Sequence, residues 1–193
     1  MLGLDIREQI LAAAKRRFFH YGYTKTTMTE LAQDCNMSAG NLYRFFPSKL
    51  DIAEAIATDA EDRGLEAFIE LIRRPGLSAK AKLREFLFLE LRSSFNMVET
   101  HPKVLKMAAI ISHERPQFAH RRLALMRSLM AEILSAGNAT GEFKIDDVIF
   151  TAEMIQAATM KFHYPQLWTR LTLEKLEREL AGVFELLVRG ISS

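Results

Sequence analysis

TTMTELAQDCNMSAGNLYRFFPSK, residues 26 to 49 of a 193-residue chain, is the stretch on which the reading of this sequence turns. Its spacing predicts two short helices joined by a tight turn, then the start of a third. Thr27 precedes Glu30 by three residues, the spacing at which a Thr oxygen accepts from a free amide of the first turn while the carboxylate reaches back. Met28, Leu31 and Ala32 follow as an apolar stripe at helical spacing. Asp34, Cys35 and Asn36 interrupt it, and Asn tolerates the left-handed backbone that a tight turn requires. Ser38 is placed to cap the second helix, with Leu42, Phe45 and Phe46 on its buried side. Ala39, Gly40, Asn41, Tyr43 and Arg44 lie opposite, side chains small or polar enough to enter a major groove, bond base edges and hold phosphates. Pro47 stops this helix, and Ser48 caps the next with Lys49 in its first turn.

In register with that stretch stand Ile10-Leu11, Ala13-Ala14, Phe18, Gly22-Tyr23, Thr26-Thr27, Leu31-Ala32, Ser38, Gly40, Leu42-Tyr43, Phe46 and Lys49. The set resembles the TetR family of bacterial transcriptional regulators, strongly over the first quarter of the chain and architecturally beyond it. The resemblance implies an all-α protein. Residues 1–49 would form a three-helix, helix-turn-helix DNA-binding domain, and residues 50–193 a helical effector-binding and dimerisation domain. It also implies a homodimeric repressor that binds double-stranded DNA at a palindromic operator and is released by a small-molecule effector. Carried over by position, Thr27, Tyr43 and Lys49 hold phosphates, with Ser38 and the backbone near Gly40 assisting. Asn41 and Arg44 are the candidates for adenine and guanine edges, Ala39 for a thymine methyl, and Thr29 faces the same side. Lys49→Ala is then expected to shallow the salt dependence of DNA binding by about one phosphate. Two positions depart from the pattern. Arg17 stands where the family usually has an apolar residue, which predicts a more open end of the first helix. Phe45 stands where Tyr or His is common, so a phosphate contact there is lost.

The totals agree with a water-soluble, folded chain: 49% hydrophobic and 26% charged residues. No apolar run nears the roughly 18 residues of a membrane span, and the start lacks a signal layout, so a cytoplasmic protein without a membrane partner is expected. A single cysteine excludes an internal disulfide and a cysteine-rich zinc site. Cys35 itself reads as a small buried side chain ahead of a thiol switch. Residues 1–50 carry seven Lys and Arg against four Asp and Glu, an excess of three in a chain whose net charge is +2. That places the positive charge in the proposed DNA-reading part, though three charges over fifty residues is also ordinary scatter.

Strand signals are nearly absent, and all five prolines fall between helix-periodic segments. Helices are predicted at about 5–21, 48–73, 78–98, 102–111, 117–136, 146–162 and 173–189. Gly64 interrupts the fourth helix, either for close packing against a neighbour or as a bend point in signalling. The last two helices have wide apolar faces. The family arrangement of a four-helix dimer bundle points to Ile155, Leu176, Leu180, Val183, Phe184 and Leu187 as interface residues, with Gly182 allowing close approach; completion of the monomer core is the alternative.

For the effector pocket the candidates are Phe86, Met97, Met107, Phe118, Met126, Phe150, Met154, Met160, Phe162 and Trp168, adaptable apolar side chains that equally suit plain core. His101, His113, His120, Gln156 and His163 are the polar groups available to orient a ligand, which is expected to be apolar or amphipathic. No histidine pair has the helical spacing of a metal site, so neither metal nor cofactor is expected. Phosphate loops, nucleophile elbows and paired carboxylates are missing too, which argues against an enzyme. The competing reading is an all-helical small-molecule-binding protein without DNA-binding activity.

Overall fold

The computed structural model describes residues 5–163 and 170–192, so Trp168 lies outside the described residues. It resolves into two compact units. One comprises the described residues up to Arg63 together with Val98–Ala119; the other comprises Gly64–Met97 and the described residues from His120 onward.

The N-terminal unit opens with α1, Ile6–His20, whose first turn is capped by Asp5 and whose inward stripe is Ile10, Ala13, Ala14 and Phe18. Gly22, at φ +97°, turns the chain into a 3-10 turn at Tyr23–Lys25. Helix α2 runs over Met28–Asp34 behind the expected capping box of Thr27 and Glu30. Asn36, at φ +53°, makes the turn. Helix α3 follows at Ala39–Phe45, with the Ser38 hydroxyl accepting from the Asn41 amide at 3.2 Å. Helix α4 spans Lys49–Arg73 and supplies Ile52, Ala53 and Ile56 to this core.

A division at residue 49 does not match these units, because α6, Val104–Glu114, joins the N-terminal core through Met107 and Ile111. Three short helices bury too little apolar surface to hold together alone, and α4 and α6 supply the missing area. Lys103 donates to the His20 carbonyl, and the His101 ring lies 4.5 Å from that of Phe19. Arg115 reaches Asp51 at 3.3 Å and Glu54 at 3.4 Å.

The C-terminal unit is built from parts of α4 and α5 (Ala79–Thr100), most of α7 (Pro116–Thr140), and α8 (Val148–Ala158), α9 (Met160–His163) and α10 (Leu173–Ile191). Leu83, Phe86, Leu91, Met126, Met130, Leu134, Leu176, Leu180 and Phe184 share its core. The helix expected over 146–162 is interrupted at Thr159, whose hydroxyl donates to the Ile155 carbonyl at 2.8 Å. Helix α7 continues through Gly137 and ends before Gly141, whose φ is +75°. The connection to α8 is pinned by Asn138, which donates to the Ile145 carbonyl at 2.7 Å and accepts from its amide at 3.0 Å. In the same connection Glu142 accepts from the Ala79 and Lys80 amides at 3.0 and 3.1 Å, capping α5 from outside and holding its own carboxyl below the usual range. The Lys144 amide bonds to the Ile191 carbonyl at 2.9 Å, and Lys161 pairs with Glu179. With both ends tied, α8–α9 runs antiparallel to α10. Among the described residues no helix is long and apolar enough to cross a membrane.

Gly137 and Gly64 separate two uses of glycine. A Cβ at Gly137 would sit 2.1 Å from the Phe143 ring, which is buried, so Gly137→Ala is expected to lower the free energy of unfolding by about 1–3 kcal/mol in urea titrations. A Cβ at Gly64 would meet nothing within 4 Å, which removes the close-packing explanation. Gly64→Ala should raise stability by up to about 1 kcal/mol through helix propensity.

Candidate nucleic-acid interface

Seven residues are too few for a helix to persist alone, so α3 is oriented by what it buries. Leu42 and Phe46 are inaccessible, and Phe45 packs part-buried against the same core. That leaves Tyr43 half exposed, with Ser38, Gly40 and Arg44 exposed beside it. Ala39 and Asn41 are partly covered, and Thr27 and Thr29 are exposed on α2. The amide of Met37 bonds to the Ala32 carbonyl at 2.9 Å across the turn and fixes the crossing of α2 and α3. The predicted residues therefore share an outward-facing surface built by two helices and one turn.

Arg17 closes the module instead of opening it. Its Nε lies 2.5 Å from Asp34 Oδ2, one terminal nitrogen donates to Oδ1 at 3.0 Å, and the other reaches Glu30 at 3.2 Å. Arg17 thus joins α1 to both ends of α2. The polar pairing substitutes for the apolar packing that the sequence resemblance led one to expect there. Glu30 extends the chain of contacts by accepting from the Thr27 amide and from the Thr27 hydroxyl, each at 2.8 Å. The Thr27 hydroxyl hydrogen is consequently committed to Glu30, and a phosphate must compete for it. Hydrogen bonds from Thr27 hold the Glu30 carboxyl below its ordinary range, and the hydrogen bond from Arg17 does the same for Asp34.

Lys49 serves a purpose that residue type alone did not reveal. Its Nζ donates to the Tyr23 carbonyl at 2.9 Å and the Thr26 carbonyl at 2.7 Å, and it stands 4.4 Å above the Tyr23 ring. Burial lowers its pKa. Two of its three donors are taken by the turn that carries Thr27, so Lys49 holds that turn whether or not DNA is bound. Thr26 is buried just inside, donating to the Gly22 carbonyl at 3.1 Å. The carbonyls of a 3-10 turn leave no trace in side-chain spacing, which is why this tie escapes a sequence reading. Cys35 is partly covered, and burial pushes its thiol up, away from the reactive thiolate.

The other predicted sets are redistributed. Phe86, Met126 and Phe162 meet in the C-terminal core, whereas Met107 and Phe118 belong to the N-terminal core and Met97, Phe150 and Met154 are exposed. The described residues of this set are thus divided between two cores and the surface. Of the six residues expected at an interface, Ile155, Leu176, Leu180 and Phe184 are buried in the chain's own core, whereas Val183 and Leu187 pack against that core and stay partly exposed. The side chains left outward are Ile149, Phe150 and Met154 on α8 and Leu186 on α10, the last 71% exposed. Periodicity gives the width of an apolar face but not which side of it meets the protein's own core. Gln156 donates to the Leu123 carbonyl at 3.0 Å, and His163 pairs with Glu90; His113 and His120 are exposed.

Two measurements test this anatomy. Folded-state carboxyls held low contribute stability above the unfolded-state pKa of about 4, and the contribution is lost as pH falls through the lower folded value. Wild-type thermal stability should therefore drop below about pH 4, and Asp34→Asn should flatten the Asp34 share of that drop. Lys49→Met should lower the unfolding free energy by about 1–3 kcal/mol without DNA, by leaving two carbonyls unpaired. A side chain serving phosphate alone would leave it unchanged.

Known proteins place this geometry. The model "Bacterial regulatory proteins, tetR family" matches residues 10–56, and "Tetracyclin repressor-like, C-terminal domain" matches residues 79–184, more than half of the chain. An uncharacterized HTH-type transcriptional regulator of Bacillus subtilis strain 168, YhgD, is 35% identical over 57 residues, a match spanning 30% of each protein. The crystal structure of Thermus thermophilus FadR, a TetR-family transcriptional repressor in complex with lauroyl-CoA, shares the fold at 22% identity with a TM-score of 0.69, covering 95% of this chain and 94% of that one. A transcriptional regulator from Saccharomonospora viridis in complex with choline does so at 17% identity and a TM-score of 0.72, with 97% of each chain covered. With a matching head, a matching body and the helix-turn-helix between Met28 and Phe45, this chain belongs to the TetR family of bacterial regulatory proteins.

Proposed function

We propose that the protein is a cytoplasmic, sequence-specific DNA-binding regulator that works as a homodimer and represses until a small apolar or amphipathic effector releases it. The observation that carries this reading is the outward surface of α3, where Tyr43 and Arg44 stand free over a buried Leu42 and Phe46. In it Tyr43, Ser38 and the backbone at Gly40 hold phosphates, while Asn41 and Arg44 bond adenine and guanine edges. Thr27 and Thr29 flank the backbone, and Ala39 meets a thymine methyl. Lys49 acts chiefly by holding the turn before Thr27. One recognition helix per subunit reads one half-site, so a two-fold pair of chains reads an inverted repeat.

The surface that favours pairing is the outward stripe of α8 and α10. Four of the nine large apolar side chains exposed among the described residues fall there, Ile149, Phe150, Met154 and Leu186. Gly182 has nothing within 4 Å of its Cβ direction inside the protomer, which suits close approach by a second backbone. An effector that prefers the dimer state with widely separated recognition helices shifts the population and weakens operator binding. The two fold neighbours hold chemically unlike molecules, lauroyl-CoA and choline, so the effector's class has to be sought in this chain's own core.

Selection of genomic fragments followed by footprinting should yield a protected inverted repeat. Recovery of no specific fragment would favour the small-molecule-binding protein without DNA-binding activity. Asn41→Ala should flatten base preference at one or two positions of the half-site, read from a binding matrix. Phe150→Glu combined with Leu186→Glu should convert the dimer to folded monomers in analytical ultracentrifugation. Leu180→Ala should instead cost about 2–5 kcal/mol of stability, since that side chain is in the protomer core.

A further inference from the structure

Two of the cations in residues 1–50 are committed inside the fold, Arg17 to Asp34 and Glu30, and Lys49 to the Tyr23 and Thr26 carbonyls. Attraction to DNA then falls to the others, and packing places one of these beside α3. Arg7 stands in the first turn of α1, where the Asp5 side chain accepts from its amide at 3.4 Å. Its guanidinium carbon lies 4.8 Å from the centre of the Phe46 ring, and Phe46 is the residue that closes α3. Tyr43 is about one helical turn back along that helix. Among the described residues no carboxylate or carbonyl pairs with this guanidinium, although Asp5 and Glu8 are its sequence neighbours. The ring beneath it is buried while Arg7 itself is exposed, so its N–H groups stay open to a ligand. A guanidinium resting on a ring is already oriented and loses less freedom on binding than a lysine extended into solvent.

We propose that Arg7 is a further DNA-contacting residue, a phosphate clamp that α1 holds beside the end of α3. The inference rests on the reading of the outward side of α3 as the DNA-reading face. A helix with its side chains is about 10–12 Å across and a major groove about 12 Å wide, so α3 fills the groove and nothing enters alongside it. A group beside its last turn meets the wall of the groove, and that wall is sugar and phosphate. Arginine suits the position, since its paired N–H donors match two phosphate oxygens and its charge is permanent. Such a contact fixes where α3 lies along the duplex and adds no base preference. Arg7 precedes the stretch 10–56 matched by the family model, and it is the pairing with Phe46 that singles it out.

The test is fluorescence anisotropy on the full-length protein with two labelled duplexes, the selected operator and a shuffled sequence of the same length, across a salt series. Arg7→Met keeps a long apolar cover on Phe46 and removes the charge. It should bind both duplexes more weakly, by about five- to tenfold per subunit near 0.1 M salt, with a salt dependence shallower by about one phosphate per subunit. Its base-preference matrix and its thermal midpoint should match the wild type. Arg7→Lys should recover the salt dependence but only part of the affinity, because the fork and the ring contact are lost. Arg7→Gln repeats the salt series should Arg7→Met fold poorly. An unchanged salt dependence overturns the proposal. So does a loss confined to the operator with an altered base preference, which would make Arg7 a base-reading residue. A loss that follows a lowered thermal midpoint, with no recovery in Arg7→Lys, reduces Arg7 to a cover for Phe46 and overturns it too. Wild-type protein that binds neither duplex removes the DNA-reading face itself. Wild-type binding that Arg7→Met and Arg7→Gln leave untouched removes Arg7 alone.

Discussion

Burial of Leu42 and Phe46 is the constraint on which the reading surface depends. A helix of two turns has no stability of its own, so the direction in which Tyr43 and Arg44 point is decided by the core beneath them. That core draws on α1, α2, α4 and α6, with Ile10, Phe18, Leu31, Ile52, Met107 and Ile111 converging below α3. Each is apolar and nearly or fully covered, so α3 is held by packing from several helices at once. The outward residues then need only be tolerated by the solvent until a ligand engages them.

Polar ties refine what packing sets. Arg17, Asp34, Glu30 and Thr27 form one continuous chain of hydrogen bonds from α1 to the start of α2, and Lys49 ties α4 to the preceding turn. These contacts are partly exposed, so their worth lies in fixing angle and register more than in bulk stability. The C-terminal unit shows the same division of labour. Asn138 and Glu142 organise one connection, and large apolar side chains supply the energy.

The all-helical class, the three N-terminal helices, the capping box and the exposed set on α3 were legible in the sequence because each rests on spacing within one element. Asn36 and Ser38 marked the turn and the cap by their chemistry. What escaped depends on relations between elements. Membership of α6 in the N-terminal core needs knowledge of which helices meet, and periodicity in Met107 and Ile111 is the same wherever they pack. Leu176, Leu180 and Phe184 form a stripe that a dimer or a monomer core uses equally well. The exposure of Leu186 and Ile149 is what tells the outward side of these helices from the inward one. Glu90 and His163 are 73 positions apart and share no motif. Their pairing arises from the break at Thr159, which no single residue announces.

The composite make-up of the N-terminal unit bears on how such regulators can be recombined. Its core includes side chains from Val98–Ala119, a segment that lies within residues 79–184, the stretch matched by the C-terminal domain model. Exchange at a single crossover near Lys49 would therefore graft a reading head onto a foreign α6 and leave Ile10 and Phe18 facing unmatched neighbours. A head of this design is inherited in two pieces, and a new specificity is more easily reached by changing the outer residues of α3 than by trading the whole module.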